Sequence, residues 1–175
     1  SLSANNPAYL NDHRVFGKTV FPASAFFEMA TIAANSVFDH DEVALKNVTI
    51  GRALALSDEP VKVQVIATPN GEHFDFEIFS RSARGTDRKW IQHAAGRLEQ
   101  KSPSSLTSIN IDEELTHFTQ PVNIEKLSAW FKAKGLEYLP RFEAIETIFL
   151  QKRDSSDEFR SAIAHIKLPV DTVLA

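Results

Sequence analysis

The residues best suited to chemistry lie near the start of the chain. They fall in the run Tyr9-Leu10-Asn11-Asp12-His13-Arg14-Val15-Phe16-Gly17-Lys18-Thr19-Val20-Phe21-Pro22. The spacing is His-x3-Gly-x4-Pro, and an apolar segment follows at once. An imidazole titrates near neutrality, so His13 can take a proton from a weak carbon acid. Gly17 lets a ligand approach the backbone, and its N–H can polarise a carbonyl. Pro22 suits the first turn of a helix, where its missing N–H is not needed. The competing reading of His13 is a surface-loop histidine between Asp12 and Arg14, and on these residues alone both stand.

Other chemistries find less support. His40, His73, His117 and His165 are scattered without metal-ligand spacing, so no metal site is expected. His93 reads as a structural strand residue. There is no Gly-x-Ser-x-Gly elbow and no Gly-x4-Gly-Lys loop. Asn47-Val48-Thr49 has the form of a glycosylation sequon but falls in an expected strand.

The elements that must position His13 are legible as periodicities. Pro22 to Phe38 is apolar except for Ser24, Glu28, Thr31 and Asn35, which form one narrow stripe at helical spacing. That pattern predicts a helix buried over most of its circumference. Val61, Val63 and Val65 alternate with Lys62 and Gln64, and Phe74, Phe76 and Ile78 alternate with Asp75 and Glu77. Pro69-Asn70-Gly71 between them predicts a hairpin turn. Val48 to Leu56 and Trp90 to Leu98 are further expected strands. The unit implied is one apolar helix against an antiparallel sheet.

Residues 100 to 108 are rich in serine and contain a proline, so they read as a linker. Beyond it, Ile124, Leu127, Trp130 and Phe131 fit a helix, with Gly135 as its cap. Phe142 to Leu150 and Glu158 to Leu168 are expected strands, with a turn over 152–157. No long buried helix follows to cover this second sheet. A bare sheet face would be an exposed apolar patch. A covering element is therefore expected from beyond Ala175 or from the first half.

Composition narrows the class. The chain has 175 residues, enough for one domain or two small ones, with 43% hydrophobic and 24% charged residues. Its net charge of −4 gives no basic excess for nucleic acid. The absence of cysteine excludes disulfides, thiol nucleophiles and zinc–thiolate sites, and permits a cytoplasmic location. Ser1 to Asn6 carries no basic start and no apolar run, so no secretory signal is read there. The missing initiator Met suggests an excised piece. Pro22 to Phe38 carries Glu28 and is shorter than the about 20 apolar residues of a membrane span.

Four segments together resemble the dehydratase domains of modular type I polyketide synthases. The run from His13 to Pro22 resembles their His-x3-Gly-x4-Pro signature. Pro22-Ala23-Ser24-Ala25-Phe26-Phe27-Glu28-Met29-Ala30 resembles their "PGAAYLEMA" helix start, with Ala23 at a glycine position. Trp90 to Leu98 resembles "W-x-x-H-A-x-G-x-L". Gly135 to Phe142 resembles "G-x-x-Y-G-P-x-F", with Leu139 at the second glycine.

The resemblance implies an α+β double hotdog, each hotdog a sheet wrapped around a long helix, the second incomplete in this chain. The implied division is a first hotdog over 1–99, a linker over 100–121 and the start of a second over 122–175. It implies elimination of water from a β-hydroxyacyl thioester, with His13 as base on the α-carbon. Gly17, Pro22, Tyr138, Pro140 and Phe142 become substrate-binding candidates; the resemblance sets Tyr138 near the hydroxyl or the acid, a buried core position explains it equally, and Pro140 and Phe142 fit packing better than chemistry.

The family's catalytic Asp lies in "H-P-x-L-L-D-x-x-x-Q/H". Leu168-Pro169-Val170-Asp171 is only superficially similar, so Asp171 is read as a loop acid and the catalytic Asp is expected beyond Ala175. Weak activity of the 175-residue chain is the corollary. No cofactor is implied, because acid–base elimination needs none. Implied partners are an acyl carrier protein, whose phosphopantetheine holds the substrate, neighbouring synthase domains, and a second copy as homodimer. A docking module that kept the fold, a double-bond isomerase and a pyran-forming cyclase are the alternatives.

Overall fold

In the computed structural model, residues 1–38, 43–84, 89–100, 108–151 and 161–167 are described. The chain divides into two compact units. The first comprises Ser1–His13 and Lys18–Ser104, the second Arg14–Gly17 and Ser105–Ala175.

The first unit opens with a 3-10 turn at Ala8–Asp12, then strands β1 (His13–Val15) and β2 (Lys18–Thr19). Helix α1 spans Ala23–Val37, with Pro22 as the flanking cap residue. Strands β3 (Val43–Ile50), β4 (Val61–Asn70), β5 (His73–Ser82) and β6 (Ile91–Gln100) form an antiparallel sheet in the order β3-β6-β5-β4. The alternation in β4 and β5 sends Phe76, Ile78 and Ser80 to the helix side and Asp75, Glu77 and Arg81 to the other.

Helix α1 and this sheet enclose the core, which includes Leu10, Phe21, Phe26, Ala30, Ala34, Phe76, Ile78 and Leu98. The unit is a hotdog, a sheet wrapped around one helix. All fully buried side chains among the described residues belong to it.

Several sequence expectations shift here. Helix α1 buries one row, Phe26, Ala30 and Ala34, and not most of its circumference. Ala30 and Ala34 let the helix sit close to the sheet on that row, while Ile32 is 58% exposed and Phe27 43%. Of the polar stripe, Ser24, Glu28 and Asn35 are exposed and Thr31 is half-buried.

The strand expected over Val48 to Leu56 ends at Ile50 and begins earlier, at Val43. Leu54 and Leu56 are buried for another reason. Phe21 N–H donates to the Leu54 carbonyl and Leu56 N–H to that of Thr19, each at 2.9 Å. The hairpin turn is Gly71-Glu72, one step later than expected, with Gly71 at φ 63°. Pro69 lies within β4, which a proline tolerates because β4 is an edge strand.

The second unit contains α2 (Ile111–Leu115), β7 (Phe118–Pro121), α3 (Ile124–Ala133), β8 (Leu136–Tyr138), β9 (Ile145–Gln151) and β10 (Ala162–Ile166). Its sheet runs β10-β9-β7, all antiparallel. The stretch 100–121, expected as linker, thus holds a helix and a strand among its described residues.

Asn123 caps α3, its Oδ1 accepting the Lys126 N–H at 2.7 Å. Gly135 follows α3 at φ 83°, the left-handed stop its position predicts. Phe142 lies in a turn, so the strand expected from there starts three residues later, at Ile145. No long helix crosses this sheet among the described residues, and the unit is a partial hotdog. The expected turn over 152–157 and Asp171 lie outside the described residues.

Candidate active site

His13 starts β1 and is half-buried in the first unit. Its main-chain carbonyl accepts the Val20 N–H at 3.1 Å. In return its ring Nδ1 donates to the Val20 carbonyl at 2.8 Å. A carbonyl only accepts, so the proton of the neutral ring sits on Nδ1 and the lone pair on Nε2. The His-x3-Gly-x4-Pro spacing thus returns the chain to the imidazole seven residues on, two before the cap of α1. Nearby, Thr19 Oγ1 donates to Asn11 Oδ1 at 3.0 Å, and Asp12 is buried.

Phe16 and Gly17 form the turn after β1, at φ 49° and 73°. Positive φ at an aromatic residue is costly, whereas Gly17 adopts it freely. Both residues belong to the second unit, where Phe16 N–H donates to the Gly135 carbonyl at 2.7 Å. A Cβ at Gly135 would collide with the Phe16 ring.

Also in the second unit, Tyr138 stacks on Phe142 at 6.3 Å between centroids and meets Phe131 edgewise at 6.0 Å. These three rings line an open cavity of about 660 Å³ between α3 and the β8–β9 region. Pro140 is exposed in the turn between Tyr138 and Phe142 and does not line it.

His93 is 3% exposed and bonded on both ring nitrogens. Nδ1 donates to the Arg52 carbonyl at 3.1 Å, so Nε2 accepts from Ser80 Oγ at 2.7 Å. Burial lowers its pKa from the usual histidine value. Gly96, three residues on, is required because a Cβ there would stand 2.7 Å from the Phe76 ring. The "H-A-x-G" run of β6 is therefore packing. The Ser80 partnership was not anticipated, although Ser80 shares a face with Phe76 and Ile78.

Residues 1–81 match the family model described as the polyketide synthase dehydratase domain. The chain is 26% identical to the dehydratase domain from the CurK module of the curacin polyketide synthase. The TM-score is 0.84 over 97% of this chain and 58% of that one. Residues 1–81 share the sequence pattern, and the chain as a whole the fold, of the polyketide synthase dehydratase domains.

The chain is similar in the same way to the domain from the CurF module, at 25% identity and a TM-score of 0.82, over 97% of this chain and 59% of that one. It is 32% identical to "Chalcone synthase cfoA" of Aspergillus candidus, over 85% of this chain and 6% of that protein. It is 28% identical to "Polyketide synthase PksM" of Bacillus subtilis, over 87% of this chain and 4% of that protein. It thus spans under six-tenths of the solved domains and a small fraction of the curated synthases.

Among the family-motif residues, His13 and Pro22 belong to the first unit, and Gly17, Tyr138, Pro140 and Phe142 to the second. Among the described residues, no three acidic or histidine side chains cluster as a metal site would require. Among them too, no helix is long and apolar enough to cross a membrane.

Proposed function

We propose that the chain supplies the base of a dehydratase that eliminates water from a β-hydroxyacyl thioester. The observation that carries this is the His13–Val20 bond. By holding the proton on Nδ1, it makes Nε2 the nitrogen that can accept one. His13 Nε2 takes the α-proton, the α-carbon's electron pair forms the double bond, and the β C–O bond breaks. The β-hydroxyl leaves as water once a second group, acting as acid, protonates it.

Such a division between one base and one acid is a general solution. Gly17 N–H is assigned to the thioester carbonyl, and Pro22 to fixing the start of α1 beside the substrate. Tyr138 and Phe142 are assigned to the acyl chain, with Pro140 shaping the turn that joins them. The substrate rides on the phosphopantetheine of an acyl carrier protein, with neighbouring synthase domains and a second copy as further partners. The reaction needs no redox group or metal.

The test is mass spectrometry of a β-hydroxyacyl carrier protein incubated with the protein, both hydroxyl configurations being offered. Loss of water that disappears with His13→Ala supports the reading. Equal loss with wild type and His13→Ala ends it.

A further inference from the structure

The outer face of the first unit's sheet is a ladder of matched charges. Asp75 stands opposite Arg97, with His73 Nε2 3.5 Å from its Oδ1 and Asn70 Nδ2 donating to its Oδ2 at 2.7 Å. Lys46 Nζ lies 2.8 Å from Glu99 Oε2, and this bond holds the Glu99 carboxyl below the usual range. Gln92 Nε2 donates to Glu77 Oε1 at 2.7 Å.

One rung breaks the pattern. Lys62 on β4 faces Arg81 on β5 in register. Like charges directly opposite each other destabilise a sheet. Among the described residues, neither has a carboxylate partner. Arg81 instead lies over Trp90, its guanidinium carbon 4.8 Å from the ring centroid, and its Nε is buried with no hydrogen-bond acceptor. A stacked guanidinium is held flat and presents its donors edgewise, in the fork that matches phosphate oxygens.

The next outward rung, Gln64 opposite Phe79, is uncharged. The cationic site is therefore one rung wide, the size of a single anionic group and not of an acidic helix. The same end of the sheet is tied to the His13 segment. Val61 pairs with Leu2, Ala4 N–H donates to the Ser57 carbonyl, and Leu56 N–H to that of Thr19.

The geometry points to an anion site at Lys62, Arg81 and Trp90 that takes the phosphodiester at the root of a phosphopantetheine arm. This assignment rests on the dehydratase reading above. Trp90 reports it directly, because Trp130 is the second of two tryptophans and can be replaced by Phe.

The Trp130→Phe protein is titrated with 4′-phosphopantetheine, pantetheine and inorganic phosphate while Trp90 emission is followed. The expected result is saturable binding of phosphopantetheine, with the other two probes about tenfold weaker. Lys62→Gln and Arg81→Gln should each weaken it about tenfold, as should added salt. Lys62 is exposed, so its variant keeps the test valid if Arg81→Gln fails to fold. An equal response to pantetheine, equal affinity for inorganic phosphate, no response, or undiminished binding by both folded variants overturns the site. Dehydration of a β-hydroxyacyl N-acetylcysteamine thioester, which has no phosphate, is followed in parallel. A rate that His13→Ala leaves unchanged overturns the dehydratase reading, whereas failure of the titration alone overturns only the site.

Discussion

Ser80 donates its hydroxyl to Nε2 of His93 across 2.7 Å, on the helix side of the first sheet. The bond requires a neutral imidazole, and burial pushes the pKa of His93 down. The unfolded chain takes up this proton at about pH 6.5, while the folded chain resists until lower pH. The stabilising contribution is therefore complete above about pH 6.5 and lost as the pH falls through the depressed folded value. Urea unfolding from neutral to acid pH should show wild type losing stability more steeply than His93→Gln. Parallel pH curves would contradict it.

Gly96→Ala should destabilise the first unit by about 1–3 kcal/mol, as overpacking does. The added carbon meets the Phe76 ring at 2.7 Å and the Lys46 carbonyl at 3.1 Å. Phe76→Leu in the same chain should recover part of the loss, because one of the two obstructions is then gone. Additive losses in a thermal-melt cycle would show that the ring is not the obstacle.

Gly135→Ala should destabilise the second unit twice over. Left-handed backbone costs an alanine about 1–2 kcal/mol, and the Cβ also strikes the Phe16 ring. Phe16→Gly removes the ring yet keeps the N–H that bonds Gly135. Measured in the Phe16→Gly background, Gly135→Ala should therefore cost less. An unchanged cost would place the whole effect in the backbone.

His13→Ala should lower the dehydration rate by about 10²- to 10⁴-fold, the usual worth of a positioned base. His13 is half-buried and outside the buried core cluster, so the melting temperature should move little. A matching collapse in stability would instead make His13 a structural residue. Circular-dichroism melts beside the rate assay decide it.

Much of the first unit was legible because its signals are periodic. Four polar residues at helical spacing mark α1, and alternating valines and phenylalanines mark β4 and β5. Burial was harder to read. Apolar type says what can be covered, and only the sheet decides that Ala30 is buried while Ile32 is not. Leu54 and Leu56 misled because a crossover bonded to Thr19 and Phe21 shows the same alternation as a strand. Helix α2 and β7 were missed because α2 is short and buries nothing, leaving no periodic stripe. At the candidate site, His13 was legible through its spacing to Gly17 and Pro22. The carbonyl that sets its tautomer was not, since a main-chain partner has no residue type to read.

Pro69 has a further consequence, for how molecules behave at high concentration. Among the described residues, strand β4 is an edge of its sheet, a template on which another chain's strand can grow. Val61 turns its main-chain groups outward to Leu2, and by the period of two Val63, Val65, Ala67 and Pro69 do likewise. Leu2 already occupies one end, and Pro69 has no N–H to offer at the other. Only the short run from Val63 to Ala67 is left to template a neighbour, with charged Lys62 beside it. The edge is thus guarded at both ends against ordered aggregation.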